Sequence, residues 1–184
     1  IAPFDTAAIF VLDTDALELA PIATEGNAQA VVQQMRIPLA ERLTGWVAAY
    51  RCAVWNSDAA LDIDSAFRPS ELTLASSIPL IHNDTVIAVL TAYGRRGQDV
   101  SMAQRRTLEN LAPSVSAALS EALGRGPQGI DGRRSEIQDA AISALEAALS
   151  HSEEGSASTI TLTRLRIIAS DRVLSAASST PVVQ

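Results

Sequence analysis

The run M-R-I-P-L-A-E-R-L-T-G-W-V-A, residues 35–48, joins two short apolar elements through a polar crossing. Ile37, Pro38 and Leu39 must be extended, because proline lacks an amide donor and biases the residue before it away from helix. Thr44 is a good N-cap for a helix over residues 45–50, which would turn Trp46, Val47 and Tyr50 inward. So short and irregular a run is no core by itself. It closes over something larger, either the body of a sheet or a bound small molecule.

Working back toward the start, A-A-I-F-V-L at residues 7–12 is apolar on both faces, as a strand is when its sheet is covered on both sides. Asp13, Thr14 and Asp15 favour a turn, and L-E-L-A at residues 17–20 resumes alternation, so the two form a hairpin. Pro21 argues against a long second strand. Gly26 and Asn27 supply a break and a cap. Ala28, Val31, Val32 and Met35 then recur at i, i+3, i+4 and i+7, the spacing of one helical face.

Working forward, residues 52–55 form a short strand opened by Cys52, and residues 56–69 read as a loop with three aspartates, Asp58, Asp62 and Asp64. Loops laid over a scaffold are where binding residues concentrate. The aspartates could coordinate a cation or orient a polar ligand, and otherwise they solvate the loop. Residues 74–81 and 85–93, separated by His82, Asn83 and Asp84, are the clearest hairpin in the chain. Ser101 and Gln104 make a capping box for a helix to about Leu123, with Leu108, Leu111, Val115, Ala118 and Ala122 as its seam and a kink expected at Pro113. The glycine-rich residues 124–132 read as a linker, followed by a partial second unit over residues 133–184.

Composition narrows the function. A net charge of −7 over 184 residues argues against nucleic acid held through its phosphates. No apolar run is long enough to span a bilayer. A single cysteine, Cys52, excludes an intrachain disulfide framework and a multi-cysteine zinc site, and points to a reducing, cytoplasmic compartment. The chain starts at Ile1 without a leader, which reads as a piece of a longer protein. His82 and His151, the two histidines, have no metal-site spacing to partners, and no nucleophile, base and orienting group fall together, so no metal and no catalysis are expected. Nothing in the sequence identifies a cofactor.

The order of these elements resembles a GAF domain, a small-molecule-binding module of signalling proteins. The residues that carry the likeness are the opening hairpin, R-I-P-L-A-E-R-L-T-G-W-V-A at residues 36–48, S-S-I-P-L at 76–80, V-I-A-V-L-T-A-Y at 86–93 and the helix from Ser101, together covering residues 1–123. The resemblance implies an α+β fold: a six-stranded antiparallel sheet flanked by helices, with a ligand pocket under loops and a helix–strand extension behind. It implies a pocket lined by Trp46, Trp55, Asp58, Phe67, Ser76 and Ser77, although both tryptophans also read as core. It further implies a non-catalytic regulatory domain, homodimeric, cytoplasmic, passing the state of an unidentified small molecule through the C-terminal helix to a downstream signalling domain. An assembly module without ligand is the alternative. The nucleotide pattern of cyclic-nucleotide-binding members is missing. Arg96 and Asp99 form an R-x-x-D of the kind with which some receptors hold cyclic di-GMP, and the same pattern suits an ordinary turn. Residues 130–168 bear a fainter likeness to the start of a degenerate GGDEF domain lacking that family's metal-binding carboxylate, which implies no cyclase activity.

Overall fold

The antiparallel sheet grows from two hairpins whose turns are written locally. A computed structural model describes residues 4–124 and Asp139. Strands β1 (Thr6–Asp13) and β2 (Glu18–Gly26) are joined by a turn in which the Asp13 carboxylate accepts the amides of Asp15 and Ala16 at 3.0 and 2.9 Å. A short helix α1 (Gln29–Val32), a two-residue strand β3 (Ile37–Pro38) and helix α2 (Arg42–Tyr50) follow. Next come strand β4 (Val54–Asp58), a single tight turn at Ala59–Leu61, strands β5 (Leu74–His82) and β6 (Thr85–Gly94), and helix α3 (Met102–Gly124). The six strands lie in the order β3-β2-β1-β6-β5-β4, antiparallel throughout. The fold is the expected α+β arrangement. Apart from Gly124, which ends α3, and Asp139, the linker and the second unit, with His151, lie outside the described residues.

Alternation along β1 explains its two apolar faces. Ala8 and Phe10 join a core with Leu19, Val32, Val47 and Tyr93 beneath α1 and α2, while Ile9 and Val11 join another with Leu80, Ala88, Val115 and Leu119 beneath α3. The seam of α3 is therefore taken up by its own sheet, with Leu111, Val115 and Ala122 buried and Leu108 and Ala118 half-buried. Its start carries the expected capping box: Gln104 accepts the Ser101 amide at 2.8 Å and donates its own amide to Ser101 Oγ at 3.3 Å. Pro113 lies inside this helix on an exposed position.

The structure corrects several local expectations. Strand β2 runs nine residues, straight through Pro21. A register shift between Ile9 and Phe10 leaves Ile22 as the extra residue beside that proline, and β3 pairs only with Glu18 and Leu19, so Pro21 sits at a bulge beyond β3. The α1 helix is a single turn and has no side-chain cap from Asn27. Helix α2 starts at Arg42, so Thr44 lies within its first turn instead of capping it. Trp46 and Tyr50 do not face inward: they are 40% and 59% exposed and stack on each other at 4.8 Å on the outer side of α2. Residues four apart share a helical face, and the inner face is taken by Leu43, Thr44, Val47 and Ala48. Cys52 is exposed and does not open the next strand, since β4 starts at Val54.

Candidate functional site

Between the sheet and α2 a chain of polar side chains crosses the apolar core. Strand alternation aims Thr91 and Tyr93 of β6, and Ser77 opposite Thr91 on β5, at the face that α2 covers. Helix α2 presents Thr44 from its first turn. The segment after β4 turns at Ala59 and brings in Asp62, which is 1% exposed. One carboxylate oxygen of Asp62 accepts the Thr44 amide at 2.8 Å; the other accepts the Thr44 hydroxyl at 2.5 Å and the Tyr93 phenol at 3.0 Å. Thr44 Oγ1 lies 2.8 Å from Thr91 Oγ1, which lies 2.8 Å from Ser77 Oγ. Arg42 Nη1 donates to the Asp62 carbonyl oxygen at 2.6 Å. The loop is further anchored by Ile63 and Leu72, both buried in the α2-side core.

Each hydroxyl has one hydrogen to give, so the charge on Asp62 orders the whole chain. With the carboxylate ionised, Thr44 and Tyr93 both donate to it. Thr44 must then accept from Thr91, and Thr91 from Ser77. Burial pushes the Asp62 carboxyl above the usual carboxylate range, against the opposing pull of the Thr44 hydroxyl and amide and the Tyr93 phenol. Burial, and then the neighbouring Asp62 charge, hold the Tyr93 phenol well above its ordinary range, so Tyr93 stays a donor. A carboxylate set in an apolar layer is costly unless donors surround it, and here the Thr44 hydroxyl and amide, the Tyr93 phenol and the Leu43 amide do.

The residues expected to line a pocket are dispersed. Adjacent positions of a strand point to opposite faces, so β5 puts Ser77 into the polar chain and Ser76 on the other side of the sheet, where its Oγ accepts the Asn56 amide at 2.9 Å. Trp55 on β4 is half-buried beneath the Arg105 guanidinium, 5.5 Å from the ring. The Asn56 side chain, on a residue at φ +53°, clasps Val100 through Oδ1 at 2.8 Å and Nδ2 at 3.3 Å, tying β4 to the start of α3. Asp58 caps the Ala59–Leu61 turn and pairs with Arg68 at 3.2 Å. Phe67 is 70% exposed and Trp46 faces outward, while Arg96 and Asp99 are exposed in the segment between β6 and α3.

Sequence reasoning missed Asp62, Thr44, Thr91 and Tyr93 as a unit. A readable trace existed: β6 places Val89, Thr91 and Tyr93 on one parity, so two hydroxyls share a face with buried valine. The aspartate itself had no such signature. Among the described residues, no group of three His, Cys, Asp or Glu side chains is placed to hold a metal ion, and no helix is long and apolar enough to cross a membrane.

A family model described as GAF domain matches residues 1–120. Among solved structures, the chain is similar to the GAF domain of a phosphoenolpyruvate-protein phosphotransferase from Coxiella burnetii, at 20% identity and a TM-score of 0.60, over 67% of this chain and 76% of that one. The corresponding domain from Acinetobacter gives 22% identity and 0.54, over 65% and 72%. The second GAF domain of DevS from Mycobacterium smegmatis gives 23% and 0.53, over 65% and 82%. At these identities the likeness carries the fold alone. No curated protein matches. The family match stops short of residues 133–184, and nothing supports a GGDEF-like unit there.

Proposed function

The chain belongs to the GAF domain family, and from that premise we propose that it is a non-catalytic regulatory domain that binds a small polar molecule on the α2 face of its sheet and passes its state to α3. The observation that carries this reading is the buried run Asp62–Thr44–Thr91–Ser77 with Tyr93. Apolar side chains of similar shape would fill the same layer without burying a carboxylate. A polar set retained there has a directional use, and hydrogen-bond donors and acceptors placed among apolar walls are what a small-ligand site employs.

The same strands supply a route out. Thr91 and Ser77 face α2, while Ala88 and Leu80 of these strands pack against Val115 and Leu119 of α3. A second connection runs from Trp55 and Asn56 to Arg105 and Val100. Movement of β5 or β6 against α2 is thereby felt at both the start and the middle of α3. With its seam against the sheet, α3 has its outward face for pairing between subunits.

Thermal-shift screening of nucleotides, cyclic dinucleotides, oxo-acids and amino acids tests the proposal. A ligand of the folded state raises the melting temperature by mass action. Ser77→Ala is expected to weaken the shift produced by the best compound. The proposal fails if no compound moves the transition, or if Ser77→Ala leaves the concentration dependence unchanged. A second reading, an assembly module, is favoured by the outward Trp46–Tyr50 pair, since exposed stacked aromatics are typical anchors of protein interfaces.

A further inference from the structure

Asp62 is the one carboxylate of its loop that leaves the loop's own surface. Asp58 is held outside by Arg68 at 3.2 Å, and Asp64 caps the Ala66 amide at 2.9 Å in an exposed turn. Asp62 instead reaches across to the first turn of α2 and to β6, so its side chain fastens three elements at one point. We propose that Asp62 is a proton-controlled latch that seats the turn at residues 59–63 on α2 and β6, fastening when the carboxyl is neutral and loosening when it ionises. The proposal goes beyond ligand binding and holds with or without a ligand.

Among the described residues the donors that meet the Asp62 carboxylate, from Thr44, Tyr93 and the Leu43 amide, are neutral, and no cation pairs with it. From α2 the nearest cation is Arg42, whose Nη1 is committed to the Asp62 carbonyl oxygen at 2.6 Å, and Glu41 is exposed at the helix start. From β6 comes the Tyr93 phenol, and from β5 only the Ser77 hydroxyl, two bonds further along the chain. The loop contributes Asp58, Asp64 and Arg68, the first and last already paired. A neutral carboxyl fits the same position by donating to Thr44 Oγ1. Thr44 then donates to Thr91, and Thr91 to Ser77, so the chain reverses without losing a bond. Water offers the ionised group a better solution outside the core than the core does within it.

Seated, Asp62 has a midpoint above the usual carboxylate range because burial outweighs its donors; released, it titrates as an ordinary aspartate. The seat is therefore fully stable below the ordinary midpoint and loses stability as pH rises through the raised one. Between the two midpoints one proton is linked to release, and the seated-to-released ratio falls by about tenfold per pH unit.

Amide hydrogen exchange on the full chain, as protection factors corrected for intrinsic exchange, tests this. Thr44 and Ile63 report the seat, since Thr44 N donates to Asp62 and Ile63 N to the Ala59 carbonyl at 2.9 Å. Ile9 and Val89, buried in paired central strands, report global unfolding. The expected result is a fall in protection at Thr44 and Ile63 with rising pH, by about tenfold per unit within the window, while Ile9 and Val89 hold steady. The fall should level off near the midpoint of the Asp62 carboxyl carbon followed by NMR, and Asp62→Asn should flatten the profile. A flat profile in the unsubstituted chain, a fall in step with Ile9 and Val89, or a fall that continues well above the Asp62 midpoint overturns the proposal even where the Asn variant does not fold.

Discussion

Two conservative substitutions around Asp62 have different consequences for its titration. Tyr93→Phe removes a phenol that donates to the carboxylate at 3.0 Å. It should raise the Asp62 midpoint further, because a donor that favours the ionised form is lost. Thr91→Val instead cuts the chain in either charge state: the Thr44 hydrogen loses its acceptor when Asp62 is neutral, and the Ser77 hydrogen loses its acceptor when Asp62 is ionised. The two losses offset, so it should leave the midpoint nearly unmoved. Carboxyl-carbon NMR titration of the two variants reads the difference, and a Thr91→Val shift as large as that of Tyr93→Phe would show that the hydroxyl chain does not have the donor order described. At this scale the sequence was partly legible. Thr44 stood out as a helix-start residue, but its partner is a carboxylate 18 positions away, which no local pattern specifies.

Among the elements, α2 depends on a close approach that only a glycine permits. A Cβ on Gly45 would lie 2.3 Å from the Pro38 carbonyl oxygen and 3.2 Å from Ile37 Cγ2. The I-P-L segment and the helix are thus pressed backbone to side, the physical content of the stretch at residues 35–48. Gly45→Ala should push α2 off β3 and destabilise the domain by about 1–3 kcal/mol, the usual cost of overpacking. Urea denaturation checks this; an unchanged midpoint would mean that β3 yields freely. The β5–β6 hairpin was the most readable element because its turn is chemical and local. Asn83 and Asp84 take φ +46° and +60° between the pair His82 and Thr85, and asparagine and aspartate tolerate that region better than most residues. Strand β2 was the least readable, since a bulge that excuses Pro21 depends on where the neighbouring strands end.

For the whole molecule, the two layers divide the labour. The α3 side is apolar packing, and the α2 side carries the polar chain and, on its outer surface, Trp46 and Tyr50. If assembly rests on that aromatic pair, the Trp46→Ala, Tyr50→Ala double variant should shift the mass measured by light scattering to that of a monomer. Its stability should stay within about 0.5 kcal/mol, as for other exposed substitutions. An unchanged mass across protein concentrations would remove the assembly reading. Sequence alone determined the element order, both hairpins, the two-faced β1 and the capped α3, because periodicity, turn chemistry and capping act over a few residues. The tertiary structure alone decided that Asp62 is buried, that Ser76 and Ser77 part company across the sheet, and that Trp46 and Tyr50 face outward. Those outcomes depend on the side chains that distant segments bring alongside: Thr44 and Tyr93 reach Asp62 from 18 and 31 positions away. A carboxylate's burial is decided by donors that only the folded chain assembles.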